Sequence, residues 1–545
     1  SNSSIQASET EIPEDMTAGL NDFTNDLTTI YQITNEEIVS LAEKIGIAED
    51  ISEISDLGYE YYAKNPMINC LIYYDDESSE TVEIPVQIDT ELSKYIQFPT
   101  KSEFEKNNGS MHISGQFTSN YGYVDAYYRS VYDTDGNYKG YIILIIDKYI
   151  GVNLHPAIAD KERLYGEYVC FLVNCDGKIA YSSAQEAIGE YVTKEKEFFN
   201  GICLIESKNS DSGAYRYASK AFYNYLSDTK SEKITAWKKF SLGGEDFTAY
   251  VVKELSKPEI IYKDVYEITT EEAINNVENL YVYANSHGKK AAIELVNSGH
   301  YSTPIYVLNM KGDVLACSNA GLIGLNFLNN RGVNGYSYVE GAIITAKQGG
   351  GFIYYIFPID STVNCHAGQC SFAYIVPIDD ECFIFGQFSG ITDNLKTGSR
   401  IRIDLSAAAR TIMMEANLNG VNSVISKINA DPKNAGKLFA QDAKVPISDI
   451  TVLDYSGKVY ASIMHPESIG DTITDYKDLY GGSTIRKNIL LARSGSGFMP
   501  DLSASKEKEG YVDLWTVCIV PINDEYLITV AAYSGTNEDI LTPYI

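Results

Sequence analysis

One phrase of sequence occurs three times in this chain, and it constrains the fold more than any other feature. The stretches YVCFLVNCDGKIAYSS, PIYVLNMKGDVLACSN and ISDITVLDYSGKVYAS each hold an apolar run, a turn that ends in glycine, and a second apolar run. Glycine takes positive φ without steric cost, so each phrase predicts a β-hairpin. A second glycine follows each turn after 12 or 13 residues, which indicates one repeated unit. The turn glycine and the following glycine are Gly177 and Gly189, Gly312 and Gly324, and Gly457 and Gly470.

The match between the last two copies extends well beyond the hairpin. From Gly324 to Gly351, and again from Gly470 to Gly497, the distance is 27 residues. A helical stretch (YVEGAIITAK or STIRKNILLAR) precedes a glycine-rich turn in both copies, and a long apolar strand closes each. The first copy is looser, with SDSGAYRY in the place of the glycine-rich turn. Each unit is therefore predicted to be α+β, an antiparallel sheet with helices on one side.

Length and charge limit the classes of protein that fit this chain. A chain of 545 residues is too long for one hydrophobic core and predicts about three to four domains. A formal net charge of −31 argues against nucleic acid and against docking on an anionic lipid surface. No run of about 18 apolar residues is present, so no membrane-spanning segment is predicted.

A fourth unit of the same kind, without the glycine hairpin, is predicted before the three copies. It follows a long helix whose apolar stripe runs from Leu20 to Ile45 through Phe23, Leu27, Tyr31, Ile38 and Leu41. Its strands are predicted at 68–76, 81–88, 124–133 and 140–147. The predicted organisation is a flexible segment (1–15), the long helix with a first, distal unit (16–160), and a second (161–258), third (259–395) and fourth unit (396–545), with the stretch 256–268 separating the second from the third.

The order of motifs resembles the Cache family of extracellular sensor domains, whose fold is similar to that of PAS domains. The third unit carries the resemblance in IYVLNMKGDVLACSNAGLIGLNF, YSYVEGAIITAKQGGGFIYYIFP and FAYIVPIDDECFIFGQFSG. The fourth unit adds His465-Pro466-Glu467, where the family often has His-Pro. The third unit departs from the family at Ser318-Asn319 and at Cys382, where a Trp is common. Residues 16–255 resemble a double Cache module, and two single-Cache-like units follow it.

The resemblance implies the ligand-binding ectodomain of a chemoreceptor, sensor kinase or related transmembrane signalling protein. Such a domain lies on the extracellular or periplasmic face and binds an amino acid, carboxylate or amine. The ligand lies between the sheet and the short helix that covers it. The Arg and Trp pattern of the amino-acid-binding subset is not found in 77–125.

Ligand contacts in such a pocket would come from a few polar groups in an otherwise apolar site. The candidates are Tyr127, Arg129 and Asp147 in the first unit, Ser318, Tyr338, Tyr355 and Tyr374 in the third, and Ser462, His465, Tyr480 and Arg486 in the fourth. Each has an ordinary structural alternative. A tyrosine can be a common sheet residue, an arginine can form a structural salt bridge, and His465 can pack in a loop.

Other chemistry is poorly supported by the sequence. The acidic turn 133–137 lacks the late carboxylate of a calcium loop, so a plain hairpin turn is predicted. Cys365, His366 and Cys370 could close a disulfide or hold a metal, but a surface loop is the preferred interpretation. No nucleophile elbow, His-Glu-x-x-His motif or phosphate loop is present, so neither catalysis nor a cofactor is predicted.

Two functions from different classes remain. The first is small-molecule sensing, in which a ligand shifts the packing of the long helix against the sheets and toward a membrane segment outside this sequence. The second is a secreted or surface scaffold of stacked units that binds no small molecule. The apolar stripe of the long helix would either support a homodimer or pack on the chain's own sheets.

Overall fold

Four antiparallel sheets form the core of the protein, one in each predicted unit. The computed structural model describes residues 8–153, 155–158, 161–192, 210–220, 230–255, 268–318, 322–332, 336–358, 368–389, 392–393 and 400–544. Most of the predicted separator 256–268 lies outside these residues, as do Asn319, Cys365 and His366. The predicted α+β architecture of four tandem PAS-like units is confirmed.

All four sheets share one strand order. Counted from the first strand of each unit, the strands are adjacent in the order 2-1-5-4-3. The second sheet has one further strand at its edge, β1 (Ser8–Thr10). The first unit contains β2 (Cys70–Asp75), β3 (Thr81–Ile84), β4 (Ser110–Thr118), β5 (Gly122–Tyr132) and β6 (Tyr138–Asp147). The second contains β7 (Val169–Asn174), β8 (Ile179–Ser182), β9 (Ser212–Lys220), β10 (Lys230–Leu242) and β11 (Glu245–Glu254).

The third and fourth units repeat this arrangement. The third contains β12 (Ile305–Asn309), β13 (Val314–Cys317), β14 (Gly351–Pro358), β15 (Gly368–Pro377) and β16 (Cys382–Ser389). A short strand, β17 (Thr392–Asp393), pairs with the last strand of the fourth unit. The fourth contains β18 (Asp449–Asp454), β19 (Val459–Ser462), β20 (Gly497–Ala504), β21 (Tyr511–Pro521) and β22 (Tyr526–Glu538).

The three predicted hairpins have the same hydrogen bonds. An Asn or Asp side chain at the start of each turn accepts from two backbone N–H groups of that turn, and these residues are Asn174, Asn309 and Asp454. The turn glycines have φ of 80°, 87° and 87°. The second glycine of each phrase donates its N–H to the first residue of the returning strand, at 2.8 Å in all three units. The repeat is therefore confirmed at the level of individual hydrogen bonds.

The long helix serves two sheets. Helix α1 (Glu14–Gly46) places Leu20, Phe23 and Leu27 in the core of the second unit. Its later turns place Ile38 and Ile45 in the core of the first unit. The predicted apolar stripe thus packs on the chain's own sheets.

The remaining helices open the units or cover their sheets. In the first unit these are α2 (Ile51–Lys64), α3 (Lys101–Lys106) and α4 (Lys148–Asn153). The third unit opens with α5 (Thr270–His287) and α6 (Lys289–Asn297), and α7 (Tyr338–Lys347) covers its sheet. The fourth opens with α8 (Arg400–Asn419), α9 (Val421–Ala430) and α10 (Pro432–Phe439), and α11 (Thr484–Arg493) covers its sheet. Within the described part of the chain, none of these helices combines the length and apolarity that crossing a membrane requires.

The first, third and fourth units pack against one another. The Asn417 side chain in α8 donates to Asp56 in α2 at 2.7 Å. The backbone N–H of Tyr123 donates to Asn329 at 2.8 Å, which joins the first unit to the third. The Tyr354 hydroxyl donates to the Trp515 carbonyl at 2.6 Å, which joins the third unit to the fourth. Side chains from three units therefore meet in the interior.

Candidate ligand-binding site

A small polar pocket lies between helix α11 and strand β20 in the fourth unit. We call it the α11 pocket. Its volume is about 10 Å³, and it is lined by Asp478, Thr484, Lys487, Asn488, Met499, Pro500 and Leu502, together with Phe352 from the third unit. The resemblance to the Cache family implies a ligand in this place, between the sheet and the short helix over it.

Lys487 is the central residue of the α11 pocket. Its side chain is only 5% exposed, and it donates no hydrogen bond to any residue that the structure describes. Burial lowers the pKa of the Lys487 ammonium group, while the charges of Asp478 and Asp501 oppose that shift. Burial of an ammonium group costs free energy, which hydrogen bonds and opposite charges reduce.

Two carboxyl groups accompany this lysine. Asp501, in β20, accepts hydrogen bonds from the Leu502 backbone at 2.9 Å and the Thr484 hydroxyl at 3.5 Å. Burial raises the pKa of the Asp501 carboxyl to about 6. Asp478 accepts from the backbone N–H groups of Tyr480 and Gly482, at 2.9 and 2.7 Å. Lys487 and Asp478 therefore provide one positive and one negative group in the pocket wall, and Asp501 lies on β20 between the lining residues Pro500 and Leu502.

In the third unit, side chains fill the region that corresponds to the α11 pocket. The two units are in register, with Gly324 matching Gly470 and Gly351 matching Gly497. In this register Tyr338 and Tyr355 of the third unit match Thr484 and Asp501 of the fourth. The two tyrosine rings stack with their centroids 4.1 Å apart. Aromatic rings thus occupy in the third unit the positions that carry polar groups in the fourth.

None of the predicted residues of the fourth unit is among those that line the α11 pocket. Arg486 is half exposed and forms an ion pair with the exposed Asp475 at 3.2 Å, so it takes part in a structural salt bridge. The Tyr480 hydroxyl donates to Asp539 at 2.9 Å, and its ring contacts Phe352 with centroids 6.1 Å apart. His465 is exposed and lies 3.1 Å from Glu467, and the buried Ser462 accepts from the His465 backbone N–H at 3.0 Å.

Only some of the predicted residues of the third unit lie close to one another. Tyr338 and Tyr355 form the buried stack. Tyr374 stacks on Phe352 with centroids 4.7 Å apart, so it supports the wall of the α11 pocket from behind. The Ser318 hydroxyl donates to the Thr303 carbonyl at 3.5 Å.

The predicted residues of the first unit are separate from the α11 pocket. Tyr127 is buried and stacks on His112 with centroids 4.5 Å apart. Arg129 donates to the Ser110 hydroxyl at 2.8 Å and to the Asn108 carbonyl at 3.2 Å. Asp147 is buried and lines a second, larger cavity between units.

The acidic turn at 133–137 is a plain hairpin turn, as predicted. The Asp133 carboxylate accepts from the backbone N–H groups of Asp135 and Asn137, at 2.9 and 2.8 Å. Among the described residues no cluster of three or more potential metal ligands occurs.

Comparison with known proteins finds similarity to solved structures only. No family model and no curated protein matches the chain. An extracellular ligand-binding receptor from Desulfohalobium retbaense is 13% identical with a TM-score of 0.32, and the match covers 44% of this chain and 40% of that protein. The ligand-binding domain of a Pseudomonas fluorescens chemoreceptor in complex with L-serine is 13% identical with a TM-score of 0.31, over 45% of this chain and 96% of that domain.

A third solved structure is the ligand-binding domain of a Pseudomonas aeruginosa amino acid chemoreceptor in complex with L-Arg. It is 12% identical with a TM-score of 0.32, over 46% of this chain and 96% of that domain. The tandem PAS-like architecture rests on the common strand order of the four sheets. With TM-scores of this size, the functional argument depends on the residues of this chain.

The α11 pocket suits a small molecule that carries both charges. Lys487 can bind a carboxylate, and Asp478 can accept hydrogen bonds from an ammonium group. The Phe352, Met499 and Leu502 side chains provide apolar surface for the rest of the ligand. Sequence analysis placed the pocket but not these residues. The missed signal was the spacing of Thr484, Lys487 and Asn488 with the buried Leu491 and Ala492, which puts all five on one helix face.

Proposed function

We propose that this protein is a non-catalytic, ligand-sensing ectodomain that binds a small amino acid or a similar zwitterion in the α11 pocket. The observation that carries the proposal is the Lys487 side chain, which is only 5% exposed and lines the α11 pocket beside Asp478. The resemblance to extracellular sensor domains supports a location on the extracellular or periplasmic face of a membrane, as part of a signalling protein.

Recognition of both ends of the ligand gives the pocket its selectivity. A bound carboxylate would complete the hydrogen bonding of Lys487, and a bound ammonium group would face Asp478 and Asp501. A ligand that lacks either group would leave a buried charge of the protein unpaired, which costs more than a lost apolar contact. Simple carboxylates and simple amines are therefore expected to bind more weakly than zwitterions.

Binding requires helix α11 to move. The pocket of about 10 Å³ holds roughly one water molecule, so an amino acid fits only when α11 and β20 separate. Phe352 belongs to the third unit, so this displacement reaches a second unit directly. The population shift would continue through the packed units to α1, which spans the sheets of the first two units.

A thermal-unfolding screen tests the proposal. The panel contains amino acids, short carboxylates, amines and purines. A ligand present at about 100 times its dissociation constant adds roughly 2.7 kcal/mol to the stability of the unit that binds it. We expect a saturable rise in Tm with amino acids and little or none with the other classes.

Two neighbouring residues of α11 provide the matched variants. Lys487→Met keeps the length of the side chain and removes its charge, so the ligand affinity should fall by about 10- to 100-fold. Arg486→Met removes a charge from the exposed face of the same helix and should leave the affinity unchanged. Equal binding by both variants would contradict the role of Lys487 in the site. No shift with any ligand in a folded protein would support the scaffold alternative instead.

A further inference from the structure

We propose that the hydroxyl of Tyr480 couples the α11 pocket to the turn that follows β22, so that a ligand in the pocket orders residues 539–544. We call these residues the 539–544 turn. This coupling rests on the proposed function, because it is a consequence of ligand binding at that site. Tyr480 itself does not line the pocket.

The backbone of Tyr480 is tied to a residue of the pocket wall. Its N–H group donates to the Asp478 carboxylate at 2.9 Å, and the same oxygen accepts from the Gly482 N–H group at 2.7 Å. The Asp478 N–H group donates to the Gly482 carbonyl at 2.8 Å, which closes the loop. Because Asp478 lines the α11 pocket, its carboxylate and the Tyr480 backbone are held in place together.

The ring of Tyr480 lies against the part of the pocket wall that comes from the third unit. Its centroid is 6.1 Å from that of Phe352, which lines the pocket. Tyr480 belongs to an apolar cluster that also contains Leu502, another lining residue, and the fully buried Leu541. The cluster therefore extends from the pocket wall to the 539–544 turn.

The hydroxyl of Tyr480 reaches the 539–544 turn directly. It donates to the Asp539 carboxylate at 2.9 Å. The same oxygen accepts from the Leu541 and Thr542 backbone N–H groups, at 3.2 and 3.1 Å, and the other oxygen accepts from the Thr542 hydroxyl. Burial and the hydrogen bond to Asp539 raise the pKa of the Tyr480 hydroxyl, so it stays a donor at neutral pH. One hydroxyl thus joins the pocket loop to the carboxylate that organises the turn.

Two hydrogen bonds in series therefore lie between the pocket wall and the turn. A ligand ammonium group bound by Asp478 would restrain the 478–482 loop and with it the Tyr480 side chain. A restrained donor loses less conformational entropy when it bonds to Asp539, so this bond would be formed for more of the time. The backbone N–H groups that the Asp539 carboxylate accepts would then exchange more slowly.

Hydrogen–deuterium exchange of the full chain tests the coupling, with an equimolar mixture of protein amino acids as the probe. Binding is followed separately by the rise in Tm. In the wild type we expect the mixture to raise Tm and to slow the exchange of the Leu541 and Thr542 amides. The expected factor is about fivefold, which is what one ordinary hydrogen bond contributes.

Replacing tyrosine by phenylalanine removes the donor and keeps the ring. In Tyr480→Phe the mixture should still raise Tm but should no longer slow exchange in the 539–544 turn. Tyr544→Phe removes a hydroxyl from an exposed ring of the same turn and should keep both effects. If Tyr480→Phe does not fold, Asp539→Ala breaks the same link from the other side, and the same result is expected.

Two readouts keep the coupling and the proposed function apart. A rise in Tm with unchanged exchange of the Leu541 and Thr542 amides would overturn the coupling and leave the proposed function in place. Equal slowing in the wild type and in Tyr480→Phe would do the same. No rise in Tm in a folded wild-type protein would contradict the proposed function, and the coupling with it.

Discussion

The α11 pocket differs from the equivalent region of the third unit because a large and a small residue have changed places between the loop and the helix. Gly482 and Lys487 of the fourth unit match Tyr336 and Gly341 of the third. A Cβ atom on Gly341 would lie 2.0 Å from the Tyr336 hydroxyl, so the helix glycine makes room for the loop tyrosine. In the fourth unit the loop residue is the glycine and the helix carries the lysine. One copy of the repeat is thereby packed with aromatic rings, and the other keeps a charged group inside.

The buried carboxyl of Asp501 predicts a pH dependence of stability. Its pKa is raised from 3.8 to about 6 because burial opposes ionisation, and Asp478 adds to this effect while Lys487 opposes it. Between about pH 4 and pH 6 the folded chain keeps a proton that the unfolded chain loses. The contribution of Asp501 to the free energy of unfolding therefore falls by about 2–3 kcal/mol as the pH rises through this range.

Asp501→Asn removes this dependence. As the pH rises from 4 to 7, the free energy of unfolding of the variant should gain about 2–3 kcal/mol relative to that of the wild type. The measurement is urea unfolding followed by the fluorescence of Trp515, in a Trp237→Phe background, since the chain has two tryptophans. Asp475→Asn, at an exposed position, is the control. A constant difference between Asp501→Asn and the wild type at all pH values would contradict the raised pKa.

At the scale of elements, replacing a turn glycine by alanine should cost more stability where other atoms lie close to its Cβ position. Gly457 has φ of +87°, and a Cβ atom there would lie 2.4 Å from the Thr474 side chain. Gly136 has φ of +80° in the β5–β6 turn, with nothing within 4 Å of its Cβ position. Both substitutions to alanine cost about 1–2 kcal/mol for the left-handed backbone. Gly457→Ala should cost at least about 1 kcal/mol more, because Thr474 must also shift.

Comparing the apparent Tm of the two glycine variants checks this prediction. Trp515 fluorescence reports on the fourth unit for Gly457→Ala, and circular dichroism of the whole chain is compared for both. Equal losses of stability would show that the contact with Thr474 is unimportant for the repeated hairpin.

The sequence predicts best those elements in which residue types suited to a conformation occur at the positions that need it. The three hairpins were predictable because a glycine at positive φ lies between two apolar strands. Strand β4 was missed because a register irregularity between Ile113 and Gln116, at Gly115 with φ of +74°, interrupts the alternation of apolar residues. The breaks of the opening helices at Gly288 and Gly420, both with φ near +90°, were not predicted.

The candidate site was predictable in place but only partly in residues. A helix over a sheet marks the α11 pocket, yet neighbouring positions on a helix point in different directions, so Arg486 is exposed and Lys487 is buried. The larger cavity beside Asp147 could not be predicted, because its lining residues Arg331 and Arg402 come together only through the packing of separate units.

At the scale of the whole molecule, Arg410 is the main polar link between the first and fourth units. Its guanidinium lies over the Tyr62 ring, 3.9 Å from the centroid, and donates to carbonyls at the C-terminal end of α2. Arg493 also joins these units, through an ion pair with Asp89 at 3.0 Å. The second pair is partly exposed to solvent, so it should contribute much less to the packing.

Arg410→Met should therefore lower the stability of the packed units by about 2–4 kcal/mol, through the loss of buried charge-assisted hydrogen bonds. Arg493→Met should cost less than about 1 kcal/mol. Calorimetric unfolding of the full chain measures both. If Arg493→Met is as destabilising as Arg410→Met, the buried arginine is not the main link.

Hydrogen–deuterium exchange of the full chain, with and without an equimolar mixture of protein amino acids, tests ligand sensing by the α11 pocket most directly. We expect the ligand to slow exchange in α11, in β20 and in β14 around Phe352, and to cause no such change in Lys487→Met. Slower exchange confined to another unit, or an unchanged pattern in a folded wild-type protein, would contradict it.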